Sequence, residues 1–255
     1  MEIDFAGLQA HGFTIVPGVL PAQGLEDARR RLWAAAEESE RRGSPTFIEG
    51  LDPNACNVRV FNLLDLDPLF VELIQHPVAL EAVQGVIGSD FLISNFTANI
   101  ARPGAQSMIA HSDLAVVFPG PWTSPWSMNV IWCLDDVHDN NGATRYLPGS
   151  HRIERREDLP DHFVEQMQPF QANAGDVIIM DGRLWHTSGA NTTQSEDRAL
   201  LFGYYTAPFL RPQVNWNVLL SDATVASLSQ AMRHWLGLGP AANIANAGLV
   251  ARPAG

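Results

Sequence analysis

A chain of 255 residues with 46% hydrophobic, 17% charged and 9% aromatic side chains has the make-up of an ordinary globular protein, so disorder is excluded and one domain spanning 1–255 is expected. Its 28 acidic against 16 basic residues give a formal net charge of −12, which is no electrostatic footprint for a phosphate backbone and sets nucleic acid aside as a partner. Cys56 and Cys133 stand far apart outside any CxxC arrangement, which excludes a disulfide framework and a thiolate zinc site.

The N-terminal MEIDFAGLQAHGF lacks a basic start followed by an apolar run, and no stretch nears the roughly 18 consecutive apolar residues of a spanning helix. The C-terminal RPAG is not a peroxisomal address. A cytoplasmic monomer or homodimer with no membrane partner is therefore expected. In chain order, a strand-like run Phe13 to Val16 leads through Pro17-Gly18 into LPAQGLEDARRRLWAAAEESERR, where Leu25, Ala28, Leu32 and Ala35 recur at the spacing of an amphipathic helix. A second helical stretch, DPLFVELIQHPVALEAVQGVIG, is divided at Pro77, which lacks a backbone donor, and His76 before it reads as structural.

From Phe91 the texture changes to short β-rich runs: FLISNFTANIA, MIAHSDLAVVF, WSMNVIWCL, GDVIIMDG and RALLFGYYTA. No helical stretch of comparable length separates them, so an antiparallel jelly roll is preferred to a parallel βαβ sheet. The expected layout is a helical buttress mainly over 19–90, a β core over about 91–210 and a C-terminal helix and tail over 211–255. The tail from Gly237, rich in Ala, Gly and Asn, is expected to be loosely held.

Within the run around 108–118, His111 and Asp113 are two residues apart, which on a strand aims imidazole and carboxylate to one side. His186, in MDGRLWHTSGAN, follows 75 residues later, where a facing strand can bring it to the same point. Two His and one carboxylate on one face of a metal leave the opposite positions open, the arrangement of non-haem Fe(II) oxygenases. An HxD tripeptide alone equally fits a capped turn. Arg198, 12 residues after His186, offers a planar fork for a carboxylate, although alone it reads as a surface ion-pair partner of Asp197 or Glu196.

The ordered set HSD, NGATRYLPGSHR, GDVIIMDGRLWHTSGAN and Arg198, with the opening HGFTIVPGVLP and its helix, resembles the phytanoyl-CoA dioxygenase family from about residue 8 to about residue 212. The resemblance implies a double-stranded β-helix (jelly roll, cupin-like), mainly β with flanking helices. It also implies Fe(II), 2-oxoglutarate and O2, with release of succinate and CO2. It makes His111, Asp113 and His186 the iron ligands and Arg198 the clamp for the distal carboxylate of 2-oxoglutarate. Thr144 becomes a hydroxyl donor to the co-substrate, and Asn129 is placed on the inward face of its strand with Ile131 and Cys133. Asn141-Gly142 and Pro148-Gly149 read as turns, with His151 outside the metal shell.

Halogenating relatives replace the carboxylate with Ala or Gly, so the presence of Asp113 speaks against halogenation. Some members carry Gln three residues before the first His, where this chain has Met108; Gln106 does not stand in the same place. Phe118, Trp122, Trp126, Asn57, Arg59, Phe61 and Trp216 are candidates for the substrate pocket, with loop packing and an Arg59 ion pair as the plainer readings. The expected activity is oxidation of an unactivated C–H bond of a small organic molecule, with hydroxylation first and desaturation, cyclisation or rearrangement in secondary metabolism as branches. A non-catalytic jelly-roll binding module and a jelly-roll enzyme using another metal are the alternatives.

Overall fold

The structure, a computed structural model, describes residues 1–238. Most of the expected loose tail therefore lies outside the described residues. Helices α1 (Phe5–His11) and α2 (Ala22–Arg41) flank strand β1 (Phe13–Val16). Strand β2 (Asn57–Val60) precedes α3 (Leu63–Leu66), α4 (Pro68–Ile74) and α5 (Pro77–Val86). Strands β3 (Leu92–Ala101), β4 (Ser127–Cys133), β5 (Thr144–Tyr146), β6 (Gln168–Pro169), β7 (Val177–Asp181), β8 (His186–Ser188) and β9 (Arg198–Thr206) follow. Three short helices, α6 (Trp216–Leu219), α7 (Asp222–Ser227) and α8 (Gln230–Trp235), end the described chain. Among the described residues no helix is long and apolar enough to cross a membrane.

Two antiparallel sheets face each other. The larger runs β1-β7-β4-β9-β3-β2 and the smaller β6-β5-β8. Alternation along the large sheet divides its side chains between two environments. Met128, Val130 and Trp132 of β4, with Ala199, Leu201 and Tyr205 of β9, pack into one core with Leu25, Ala28, Leu32 and Ala35 of α2 and with α4 and α5. Helices thus buttress one face, as the sequence predicts. Ile131, Cys133 and Leu200 point the other way, toward the small sheet, in a core with Ile178, Met180 and Phe170.

Pro77 divides the second helical stretch as expected, and His76 caps α5 by accepting from the Val78 amide at 3.3 Å. One expected strand is absent. The run around 108–118 crosses from one sheet to the other: His111 makes an isolated bridge to His186, and Asp113–Val116 close a 3-10 turn. The segment is pinned at Gly182, whose carbonyl accepts from Ser112 Oγ at 2.9 Å and from the Leu114 amide at 2.8 Å. Its backbone bonds go to Gly182 and His186 rather than into a continuous ladder, which overrides the β propensity of the sequence.

Candidate active site

His111 and His186 come together through their mutual backbone bridge, with the His111 amide 2.9 Å from the His186 carbonyl. Each ring then makes the same local bond: His111 Nδ1 to the Ile109 carbonyl at 3.1 Å and His186 Nδ1 to the Leu184 carbonyl at 2.9 Å. With Nδ1 as the donor, both rings turn the Nε2 lone pair outward, the tautomer a metal requires. Asp113 reaches the same point from the 3-10 turn, with Oδ1 3.6 Å from His111 Nε2 and Oδ2 3.8 Å from His186 Nε2. One ligand atom from each residue lies within 4.8 Å of the others.

The expected convergence therefore holds, but by a bridge and a turn instead of strand alternation. Asn129 Nδ2 donates to Asp113 Oδ2 at 2.5 Å, which leaves Oδ1 the better placed metal ligand, and the Tyr204 hydroxyl holds the Asp113 carbonyl at 3.0 Å. Burial works to raise the Asp113 pKa, yet the two imidazoles and the Asn129 amide outweigh it and keep the carboxylate ionised. Burial likewise holds His186 below its ordinary value and so neutral, whereas at His111 the bond and charge of Asp113 outweigh burial and raise it. Two neutral-capable imidazoles and one carboxylate on one side suit a divalent metal with open positions opposite.

Arg198 is not the surface ion-pair partner that it resembles in isolation. Its side chain is 0% exposed, while Glu196 pairs with His138 at 2.9 Å and Asp197 faces Arg102 at 3.9 Å. Nη1 donates to the Asn99 carbonyl at 3.2 Å, and the buried Nε and Nη2 have no partner. Burial lowers its pKa to about 10, so the side chain stays cationic at neutral pH. A buried cation with two free donors on one fork is arranged for a carboxylate.

The triad, Arg198, Thr144 and Asn129 all line a single cavity of about 490 Å³. Asn129 shares its inward face with Ile131 and Cys133, as predicted, but its amide is engaged with Asp113, so the structure brings it to a metal ligand. His151 lies outside, 3.2 Å from the Gln9 carbonyl. Among the aromatic candidates only Phe61 lines the cavity. Trp122 is buried in a loop core and donates to the Val117 carbonyl at 2.6 Å, Trp126 packs on Phe209, and Trp216 is buried with its Nε1 on the Ile93 carbonyl. Phe118 is 87% exposed, and Asn57 bonds the backbone of Gln106. Arg59 does line the cavity and is also paired, Nε and Nη2 standing 3.1 and 2.8 Å from Asp52 Oδ1. Met108 lines it too, with its sulfur 3.2 Å from Arg59 Nη2.

Sequence reasoning missed Asn95, Thr97 and Asn99, every second residue of β3, and Phe202 and Tyr204 of β9. The signal was present: in FLISNFTANIA a polar side chain recurs with period two inside an otherwise apolar run, which marks a wet inner face.

Residues 8–199 match the family described as Phytanoyl-CoA dioxygenase (PhyH). The chain belongs to that family. It is a dioxygenase-type oxidoreductase whose sheets form the family's double-stranded β-helix. A curated relative, Dioxygenase af480 of Aspergillus fumigatus, is 48% identical over 238 residues, covering 93% of this chain and 77% of its own. Among solved structures, HygX from Streptomyces hygroscopicus with nickel and 2-oxoglutarate bound superposes with a TM-score of 0.66 at 18% identity, covering 82% of this chain and 87% of its own. EctD from S. alaskensis with bound Fe superposes with a TM-score of 0.66 at 17% identity, covering 83% of this chain and 80% of its own. At such identities these two speak for the fold.

Proposed function

We propose that the chain is a single-domain Fe(II)- and 2-oxoglutarate-dependent dioxygenase that oxidises an unactivated C–H bond of a small organic substrate, with hydroxylation as the principal outcome and a role in secondary metabolism. The observation that carries this reading is Arg198: a fully buried guanidinium with two unpartnered donors in the cavity that holds the two-His, one-carboxylate set. A binding module for neutral molecules or a hydrolytic metal site has no use for that fork, whereas one carboxylate of 2-oxoglutarate fits it and the other end can reach the metal.

His111 Nε2, His186 Nε2 and Asp113 Oδ1 would hold the iron. When bound, Fe(II) and 2-oxoglutarate supply the activation of O2, and 2-oxoglutarate leaves as succinate and CO2. The remaining work belongs to the chain. Asn129 fixes the Asp113 carboxylate, and the Ile109 and Leu184 carbonyls fix the two imidazoles. Arg198 orients the co-substrate, Thr144 offers it a hydroxyl, and the buried walls keep water from competing with the substrate.

Anaerobic titration with Fe(II) and 2-oxoglutarate tests the reading. A weak visible charge-transfer band that appears only with both is expected, followed by succinate release on admitting oxygen. A protein that binds Fe(II) with no such band, or that binds neither, overturns it.

A further inference from the structure

Cavity walls remote from the metal are built differently from those beside it. Among the lining residues the charged or ionisable side chains are the triad, Arg198, Arg59 and Tyr204, whose phenol is kept neutral by burial and whose hydroxyl is spent on the Asp113 carbonyl. The first four serve metal and co-substrate in the reading above, and Arg59 has its counter-ion in Asp52, whose side chain is 1% exposed. What remains for a substrate carries no net charge. At the mouth, Leu51 and Ile109 are exposed apolar side chains, Ile109 at 87%, and Phe61 and Phe202 continue the apolar surface inward.

Set in this surface is a pair of carboxamides. Asn95 Nδ2 donates to Gln213 Oε1 at 3.1 Å, and Asn95 Oδ1 is buried with no partner. The pair therefore keeps one acceptor and the Gln213 Nε2 donor for something else, and turning both amides over leaves the same complement. The two residues lie 118 positions apart in the chain and are brought together by an irregularity in β3. The register against β9 shifts between Ile93 and Asn95, and at Ser94 the backbone and hydroxyl serve the other segment: Ser94 Oγ accepts from the Gln213 amide at 2.9 Å and the Ser94 carbonyl from the Val214 amide at 3.3 Å. Bulges of this kind re-aim side chains beside active sites.

We propose that the Asn95–Gln213 pair reads a hydroxyl group on an otherwise apolar, uncharged substrate and so sets which carbon faces the metal. A hydroxyl is both donor and acceptor, so one such group can answer Asn95 Oδ1 and Gln213 Nε2 together. Asn95 is opposite Tyr204, which is opposite Asn129, the residue that holds Asp113. Two strand spacings, on the order of 10 Å, separate Asn95 from Asn129, so the oxidised carbon is several bonds from the one bearing the hydroxyl. The proposal rests on the dioxygenase reading of the same site.

The test uses the anaerobic Fe(II) and 2-oxoglutarate complex of the full chain, with a panel of medium-sized aliphatic and alicyclic alcohols. Each alcohol is set beside the ketone and the carboxylic acid of the same skeleton, and binding is read by ligand-observed NMR and by shifts of the charge-transfer band. Alcohols are expected to bind best and acids worst. Asn95→Ala and Gln213→Ala are each expected to reduce the alcohol preference by roughly tenfold to a hundredfold. Asn95→Asp, nearly isosteric, is expected to lose alcohols and gain the matching amines. Acids outranking alcohols, no alcohol preference across the panel, or a preference unchanged in both alanine variants overturns the proposal. Titration of 2-oxoglutarate in the same samples separates the two claims: if the co-substrate does not bind the wild-type protein, the dioxygenase reading itself has failed.

Discussion

Replacing Arg198 with methionine separates its cost to the fold from its use in binding. In the protein as it stands, the guanidinium is fully buried with one bond, to the Asn99 carbonyl, and two donors unmet. Replacing buried ion pairs by apolar groups of similar volume is often stabilising by about 1–4 kcal/mol, and a buried cation with no counter-ion has no pairing to lose; against this the lost bond to the Asn99 carbonyl costs about 1 kcal/mol. Arg198→Met is therefore expected to be about as stable as the wild type or more so without ligand, and to gain much less stability than the wild type from the same concentration of 2-oxoglutarate. Two charge-assisted bonds at about 1.5–3 kcal/mol each correspond to a loss of roughly a hundredfold to ten-thousandfold in 2-oxoglutarate affinity for Met or Ala. Arg198→Lys keeps the charge but not the two-point fork, so a loss of roughly tenfold to a hundredfold is expected, larger for 2-oxoglutarate than for the organic substrate. Urea unfolding with and without 2-oxoglutarate, beside anaerobic titration of the Fe(II) form, measures both. Equal 2-oxoglutarate affinity in all variants, or an Arg198→Met protein much less stable than the unliganded wild type, refutes the reasoning.

Alanine at His111, Asp113 or His186 is expected to abolish tight Fe(II) binding and succinate formation, since three ligands leave none spare; a variant that kept both would remove that residue from the set. Asn129→Ala, which frees the Asp113 carboxylate, is expected to weaken Fe(II) roughly tenfold to a hundredfold in an equilibrium titration, with Asn129→Ser recovering part. Asp113→Gly is expected to yield little or no chlorinated product in excess chloride, because opening a metal position supplies neither halide retention nor substrate placement; mass spectrometry showing abundant chlorination contradicts this. Burial holds His76 below its ordinary value, so the fold favours the neutral ring. Its contribution is complete above the unfolded value near 6.5 and is lost as pH falls through the depressed folded value. His76→Ala is expected to cost about 1 kcal/mol at neutral pH as a lost helix cap and to flatten the acid limb of the stability curve in urea melts.

The parts of the fold that rest on one local pattern were legible. Helical spacing of Leu25, Ala28, Leu32 and Ala35 and the break at Pro77 are decided within a few residues, and the structure places them so. So were the four long strands, whose apolar content exceeds what a loop can leave in water. What stayed hidden depends on partners distant in sequence. Strands β5, β6 and β8 are two or three residues long and exist only because they close on one another. The His111 to Asp113 run has strand propensity, yet its hydrogen bonds go to Gly182 and His186, about 70 residues on, and no local signal announces that.

The site divides along the same line. The assignment of the ligands and of Arg198 comes from the resemblance carried by the ordered motifs, because an HxD tripeptide and a lone Arg each admit a plainer reading. For Arg198 the sequence leaves burial open, and burial is what fits the side chain for the proposed clamp: exposed, its N–H groups would be satisfied by water, whereas enclosed they wait for an acceptor. The substrate side had no comparable chemistry to announce it. Trp122, Trp126 and Trp216 drew attention as large aromatics, but their size made them core material, and the cavity wall fell to Asn95, Thr97 and Asn99, small polar residues visible only as a period-two pattern on β3. On the proposed reading, a wall of amides and apolar groups around a strongly charged metal end is a division of labour: fixed charges would bind what every turnover consumes, and neutral groups on a bulged strand would decide which molecule is oxidised.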